Sequence, residues 1–400
     1  MSKPQLKFDG PPPWNKIGRH GVFPEAKHDE IARFNFLANL NKHLAAVVGP
    51  GNRLAYDKRV KPAFKAAHGH DPKTRQEVRK AMNADPLHQM WSALRRNTME
   101  MRQQAGRSLV LRQIDALTQK ARALSAGKDT LKLTPDLRLP NYISGVDHHC
   151  MPGSYYTELT KDDVTAAANY DSGLFVTTGG ALGAFSDGGG VAIAEYMKKQ
   201  HPEFHPKRIL DVGCGLGHNV LPIAKVYPDA DVVAIDVAAP MLRYGHARAQ
   251  SLGVTNVTFL QADAEHLDYP DGAFDWIQTT MFLHETSNAS MKRMMREFYR
   301  LLKPGGVMLH VEQPQYTPDM DVYEQFIRDW DAFNNNEPFW SQMHDIDVFG
   351  LMEKSGFKKD KLFQVGVRAV ADRSIFPEAP TGDAEDHGRA AVWNAFGAWK

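Results

Sequence analysis

Ten residues, RILDVGCGLG at 208–217, constrain this chain more than any other stretch. An apolar run too short for a helix enters three alternating glycines, Gly213, Gly215 and Gly217, and 218–226 then reads as a helix. Such a strand, glycine loop and helix let the backbone turn sharply, and a ligand can approach main-chain N–H groups at the helix start. The next apolar run, DVVAID at 231–236, ends in a carboxylate 19 residues past Gly217. In a parallel sheet, an acid at that strand end faces ribose hydroxyls. The chain is therefore expected to bind a nucleoside ligand, and a dinucleotide-dependent dehydrogenase shares these features.

The continuation separates the two readings. After a third strand at 256–260 come QADAEHLDYPDGAFD at 261–275, a fourth strand and helix, and LLKPGG at 301–306, with DVAAPML at 236–242 between. Together with LDVGCGLG at 210–217, this order resembles the class I S-adenosylmethionine-dependent methyltransferases, especially the small-molecule branch that includes quinone and sterol methyltransferases. The resemblance covers roughly 190–316, is weaker towards the C-terminus, and says little about 1–140. It implies an α/β fold, a Rossmann-like seven-stranded sheet with helices on both faces, here preceded by an N-terminal helical domain. Its last two strands would be 361–370 and 390–399, a hairpin around a long 371–388 loop, with the final strand antiparallel.

For the cofactor S-adenosylmethionine, and its product S-adenosylhomocysteine, the resemblance implies a residue set. Gly213 and Gly215 lie against the methionine and ribose, with Gly217 completing the loop and Asp211 supporting the amino group. Asp236 binds both ribose hydroxyls, Val237 and Met241 pack near the adenine, and Asp263 with Ala264 reads its edge. Thr280 and Tyr170 complete the cofactor wall. Ala238 departs from the pattern, since the family often has serine after the ribose-binding acid.

A hydroxyl acceptor must lose its proton, so a base is expected near the transferred methyl group. His284, following the fourth strand in IQTTMFLHET, suits that role by its pKa, with Glu285 beside it. It resembles the histidine base of plant-type O-methyltransferases, although the tryptophan usual in that motif is missing. A pocket-lining or helix-capping histidine is the bland alternative. Between the fifth strand and the next helix, 323–347 is crowded with aromatic and amide side chains. Trp330, Phe333, Asn334, Asn335, Glu337, Trp340 and His344 could supply an apolar pocket with a few fixed polar contacts. Tyr156, and Tyr155 beside it, are further wall candidates. The His148-His149-Cys150 trio invites a zinc reading, but adjacent ligands rarely converge on one ion without distant partners. No metal is therefore expected, and His68 and His70 are read as surface residues.

Composition narrows the class. With 42% hydrophobic and 24% charged residues the chain is that of a soluble globular protein, and neither a membrane span nor a secretory leader is visible. The two cysteines, Cys150 and Cys214, form no disulfide or CxxC pattern; the expected location is cytoplasmic. The net charge of +1 hides a division, because 1–140 holds 26 Lys+Arg against 12 Asp+Glu. That basic part either docks on an acidic neighbour in its own chain or dimer, or attracts nucleic acid.

Residues 1–28, with Pro11-Pro12-Pro13-Trp14, read as an extended arm, and 29–140 as a basic helical domain serving as lid or dimerisation element. Within it, Ile31, Phe34, Leu37, Leu40, Leu44 and Val47 mark a helix stopped by Gly49-Pro50-Gly51. Asp71-Pro72 and Asp85-Pro86 read as helix starts, and Leu109 to Leu124 as a helix ending at Gly127. Residues 141–190 read as a connector contributing to the site, and 191–400 as the methyltransferase domain with a substrate cover at 317–347. The expected function is methyl transfer to a small-molecule acceptor, the acceptor atom (oxygen, nitrogen, carbon or sulfur) being left open and O-methylation with His284 as general base being one route. An RNA methyltransferase using the basic domain, or a non-catalytic regulatory protein, are the alternatives.

Overall fold

A computed structural model describes residues 10–370, 372–376 and 392–400. Eight strands form one sheet: β1 (Leu131–Lys132), β2 (Arg208–Val212), β3 (Asp231–Asp236), β4 (Val257–Gln261), β5 (Phe274–Thr280), β6 (Leu302–Val311), β7 (Leu362–Arg368) and β8 (Val392–Trp399). Their order is β1-β4-β3-β2-β5-β6-β8-β7. All neighbours are parallel except β8, which runs antiparallel to both β6 and β7. The closing hairpin and its antiparallel last strand are as expected. Position 371 and residues 377–388 of the expected loop lie outside the described residues. The eighth strand is β1, paired as Leu131↔Phe259 along the β4 edge; two residues are too few to leave an alternation pattern.

The sheet is buried on both sides, which is why its strands read as continuous apolar runs. Along β2, Ile209 packs with Val232, Phe259 and Trp276 on one face, while Leu210 and Val212 pack with Val233, Ile277 and Phe298 on the other. Chain order runs outward from β2 in both directions, through β3 on one side and β5 on the other. The carboxyl ends of these strands therefore splay apart into a crevice, where open parallel sheets bind ligands.

The helical part departs from the sequence reading in several places. First, Gly49-Pro50-Gly51 does not stop the helix. The chain stays helical from His28 to His68, through π-turns at Leu44–Val48 and Tyr56–Val60, each followed within two residues by a proline, Pro50 and Pro62. Gly49 N–H reaches Leu44 O and Lys61 N–H reaches Tyr56 O; the wider turn accommodates a ring that would clash with a carbonyl in a regular α-helix. Second, Asp71 caps nothing: the helix Arg75–Met82 is capped by Thr74, whose side chain accepts from Glu77 N–H. Asp85 does cap, accepting from Leu87 and His88 N–H ahead of the helix Pro86–Leu111. Leu109 lies in that helix, and the next one, Ile114–Ser125, follows a break.

Third, the stretch 141–190 contains a full helix, Thr165–Thr178. Buried almost all round, at Ala167, Ala168, Asp171, Ser172, Phe175 and Val176, it shows no apolar stripe to read. The N-terminal segment also packs instead of trailing as an arm. Trp14 is 1% exposed, stacks on Phe34 at 4.8 Å and donates its indole N–H to Ser172 O at 2.8 Å.

Candidate active site

At the end of β2, Gly213 turns the chain at φ +69° with its N–H on Ile235 O at 2.9 Å. A Cβ there would meet the Phe282 ring at 2.2 Å, so only glycine lets the loop pass that ring. Gly215, at φ +52°, has no heavy atom within 4 Å of where a Cβ would sit. That empty space is the cradle a nucleoside needs. Asp236, ending β3, faces it: Oδ2 accepts from Gly215 N–H and Oδ1 from Ala238 N–H, both at 2.9 Å. Burial pushes its pKa up to about 6 against these backbone donors.

Glycine loop and acid open into one cavity of about 600 Å³. Of the expected cofactor residues, Gly213, Gly215, Asp236, Val237, Met241, Ala264, Thr280 and Tyr170 line it. Asp211, Gly217 and Asp263 do not: Asp211 is buried beneath the loop, a Cβ on Gly217 would face Leu221 and Phe259, and Asp263 receives Glu265 N–H at 2.9 Å.

The same cavity continues to His284 and Glu285, in a single 3₁₀ turn after β5. Glu312, just past β6, shapes this corner. Its Oε2 accepts from the N–H groups of Leu283 at 2.9 Å and His284 at 3.3 Å, and its Oε1 lies 2.6 Å from His284 Nδ1. Burial acts to lower the pKa of His284, but the charge and hydrogen bond of Glu312 hold it up at about 9. With Nδ1 taken, Nε2 is the nitrogen left for a ligand. Trp340 presses edge-on to the ring at 4.8 Å.

Glu285 does not pair with His284. Its Oε1 takes the Tyr155 hydroxyl at 2.7 Å and sits 3.3 Å from His149 Nε2, while His149 Nδ1 lies 2.5 Å from Glu337 Oε1. Burial works to raise the Glu285 pKa, but the histidines bring it down to about 2. Burial works to lower that of His149, but Glu337 and Glu285 raise it to about 10.

Among the expected acceptor residues, Asn335, Glu337 and Trp340 line the cavity; Trp330, Asn334, His344 and Tyr156 serve packing. Trp330 lies against Trp91 and under Arg95, donating to Ser92 Oγ at 2.8 Å. Asn334 bonds back to Trp330 O at 3.0 Å, His344 stacks on Tyr316 at 4.2 Å, and Tyr156 donates to Ser144 O at 3.1 Å. Phe333 is 55% exposed under Arg79. The sequence reading omitted Glu312, Tyr142 and His218. For Glu312 a signal existed, an acid directly following the fifth long strand in HVEQP. Tyr142 and His218, both on the cavity wall, carried none.

The charge division resolves within the chain. Arg53 pairs with Asp321 at 2.5 Å, Arg75 with Asp329 at 2.6 Å and Asp345 at 2.5 Å, and Arg95 with Asp331 at 3.1 Å. Arg96 donates to Asn334 O at 2.6 Å. The basic helices thus dock on the acidic 317–347 segment. No helix among the described residues is long and apolar enough to cross a membrane.

A family described as a methyltransferase domain matches residues 209–306. A demethylmenaquinone methyltransferase of Thermus thermophilus is 40% identical over 109 residues, 27% of this chain and 48% of that protein. An uncharacterized methyltransferase of Bacillus subtilis is 30% identical over 176 residues, 44% of this chain and 58% of that one. The chain thus spans about half the length of these relatives. Among solved structures, a Haemonchus contortus phosphoethanolamine N-methyltransferase in complex with S-adenosyl-L-methionine is 18% identical with a TM-score of 0.41, covering 57% of each chain. Residues 209–306 thus match a methyltransferase domain, and the motif order and strand order resemble those of class I S-adenosylmethionine-dependent methyltransferases.

Proposed function

We propose that the whole chain catalyses methyl transfer from S-adenosylmethionine to a small aromatic acceptor carrying an ionisable hydroxyl, with His284 as the base. The observation that carries this reading is the single cavity running from Gly215 and Asp236 to His284. S-adenosylmethionine supplies a methyl group on a positively charged sulfur. Asp236 holds the ribose hydroxyls, and the glycine loop lets the remainder lie against the backbone. Neutral His284 takes the acceptor's proton on Nε2, while Glu312 fixes the ring and stabilises the imidazolium formed. Deprotonation matters for either product, because a phenolate is nucleophilic at oxygen and at its ring carbons. Tyr155, Tyr170, Phe282 and Trp340 give the acceptor a flat, largely apolar surround.

The names of the relatives point to a hydroquinone as the first acceptor to try. The nucleic-acid alternative loses support, since Arg53, Arg75, Arg95 and Arg96 are engaged by the cover segment. The test incubates the protein with methyl-labelled cofactor and a panel of hydroquinones, catechols and phenols, beside the His284→Ala variant. Label appearing on a phenolic product in the wild type and lost in the variant supports the reading. No transfer to any acceptor, with the cofactor bound, overturns it.

A further inference from the structure

One feature of the cavity is not used by the methyl transfer just described. Glu337 is fully buried; its Oε2 has no hydrogen-bond donor among the described residues, and its Oε1 meets only His149 Nδ1, at 2.5 Å and off hydrogen-bond geometry. Its neighbours there are His149 and Glu285, and one donor atom from each of the three residues lies within 4.8 Å of the other two. Two buried carboxylates at that spacing repel by several kcal/mol at an effective dielectric of about 20. His149 supplies at most one positive charge, so the cluster keeps a net charge of −1. His284 and Glu312 add none, since they form a pair of their own.

We propose that His149, Glu285 and Glu337 bind a divalent first-row cation at the acceptor end of the cavity. One imidazole and two carboxylates suit Zn²⁺ or Mn²⁺ better than Ca²⁺ or Mg²⁺, which prefer oxygen-only sets. At ligand distances of about 2.1 Å, tetrahedral donors stand about 3.4 Å apart; His149 Nε2 and Glu285 Oε1 are already 3.3 Å apart, and no separation in the trio, all within 4.8 Å, needs to close by more than about 1.4 Å. His149 releases one carboxylate and offers a single nitrogen to the ion. The three come from separate parts of the chain: the 148–150 turn, the turn after β5 and the 335–339 bend. Adjacent His148 and Cys150 play no part; His148 faces Ser154 and Cys150 faces Asn335.

The backbone presenting these groups is held in unusual conformations. Among the described residues, four of the seven non-glycine residues with positive φ, His149, Cys150, Met281 and Asn336, belong to or adjoin these three turns. Such conformations cost about 1–3 kcal/mol each and cluster at functional sites. Three protein ligands leave a coordination position facing the cavity, where an acceptor oxygen can bind and ionise more readily. Ion binding stands apart from methyl transfer; only its use by the acceptor rests on the reading above.

The test is titration of the metal-depleted full chain with MnCl₂, followed by electron paramagnetic resonance, and with ZnCl₂, followed by calorimetry, without cofactor or acceptor. One ion per chain is expected, bound at least about tenfold more weakly after Glu337→Gln or His149→Ala. Each variant is also titrated with S-adenosylhomocysteine to show that it is folded. Absence of a stoichiometric ion below about 1 mM, or binding unchanged in both variants, overturns the proposal and leaves the trio as a hydrogen-bonded relay. Cofactor that fails to bind the wild type would instead count against the methyltransferase reading.

Discussion

In the proposed function Asp236 and His284 divide the chemistry between them, and each has a pH signature. Replacing Asp236 with alanine removes charge-assisted hydrogen bonds worth roughly 1.5–3 kcal/mol, so calorimetry should find cofactor affinity lower by about 10- to 150-fold. Because ribose hydroxyls favour the carboxylate and the free protein binds its proton at about 6, affinity in the wild type should also fall as pH drops below that value. His284 works in the opposite sense. Held protonated up to about 9 by Glu312, it is a base only in the small neutral fraction at pH 7. The rate constant kcat/KM should therefore climb about tenfold per pH unit between 7 and 9, then level. His284→Ala should lower turnover by about 10²–10⁴ and leave cofactor affinity unchanged. Both residues were legible in the sequence because each sits at or soon after a strand end in a recognisable motif. Glu312, which holds His284 from 28 positions away, left only the weaker signal of an acid after the fifth long strand.

Between elements, Asp171 is the most consequential joint. From the helix Thr165–Thr178, its carboxylate accepts from Tyr244 hydroxyl at 2.8 Å and pairs with His218 at 2.8 Å and His20 at 2.9 Å. It thereby ties the N-terminal segment to the glycine loop and to the helix Ala239–Ser251. Despite burial, these partners hold its pKa well below the usual carboxylate range. The unfolded chain takes up this proton near pH 3.9 and the folded chain only well below it. The contribution is therefore full above about pH 4 and lost as pH falls through the folded value. Asp171→Asn should lower unfolding free energy by about 3–5 kcal/mol and flatten the acid limb of a stability–pH curve measured by urea denaturation. None of this showed in the sequence, because a helix buried on every side has neither stripe nor polar face. The π-turns before Pro50 and Pro62 escaped for a related reason: proline signals a stop unless the preceding turn widens, and the widening depends on packing.

At the scale of the molecule, the basic helices act on the cavity through the segment they grip. Arg75 is 12% exposed, hydrogen-bonds Asp345 and forms an ion pair with Asp329 at once, so it holds both sides of the cover segment that carries Asn335, Glu337 and Trp340. Arg75→Ala should raise KM for the acceptor several-fold while leaving cofactor affinity near wild type, and should expose the cover to limited proteolysis. Equal loss of both affinities would show that the cover supports the whole cavity. The strands, the glycine loop and the acid ending β3 are local: continuous apolar runs and tight turns write themselves into consecutive residues, so β2 to β8 and Asp236 could be read directly. The far end of the cavity is assembled from His149, Glu285, Glu312 and Glu337, spread over nearly 190 positions, and no local pattern specifies which buried charges will meet. Folding alone brings them together, because the charges facing one another there come from distant parts of the chain.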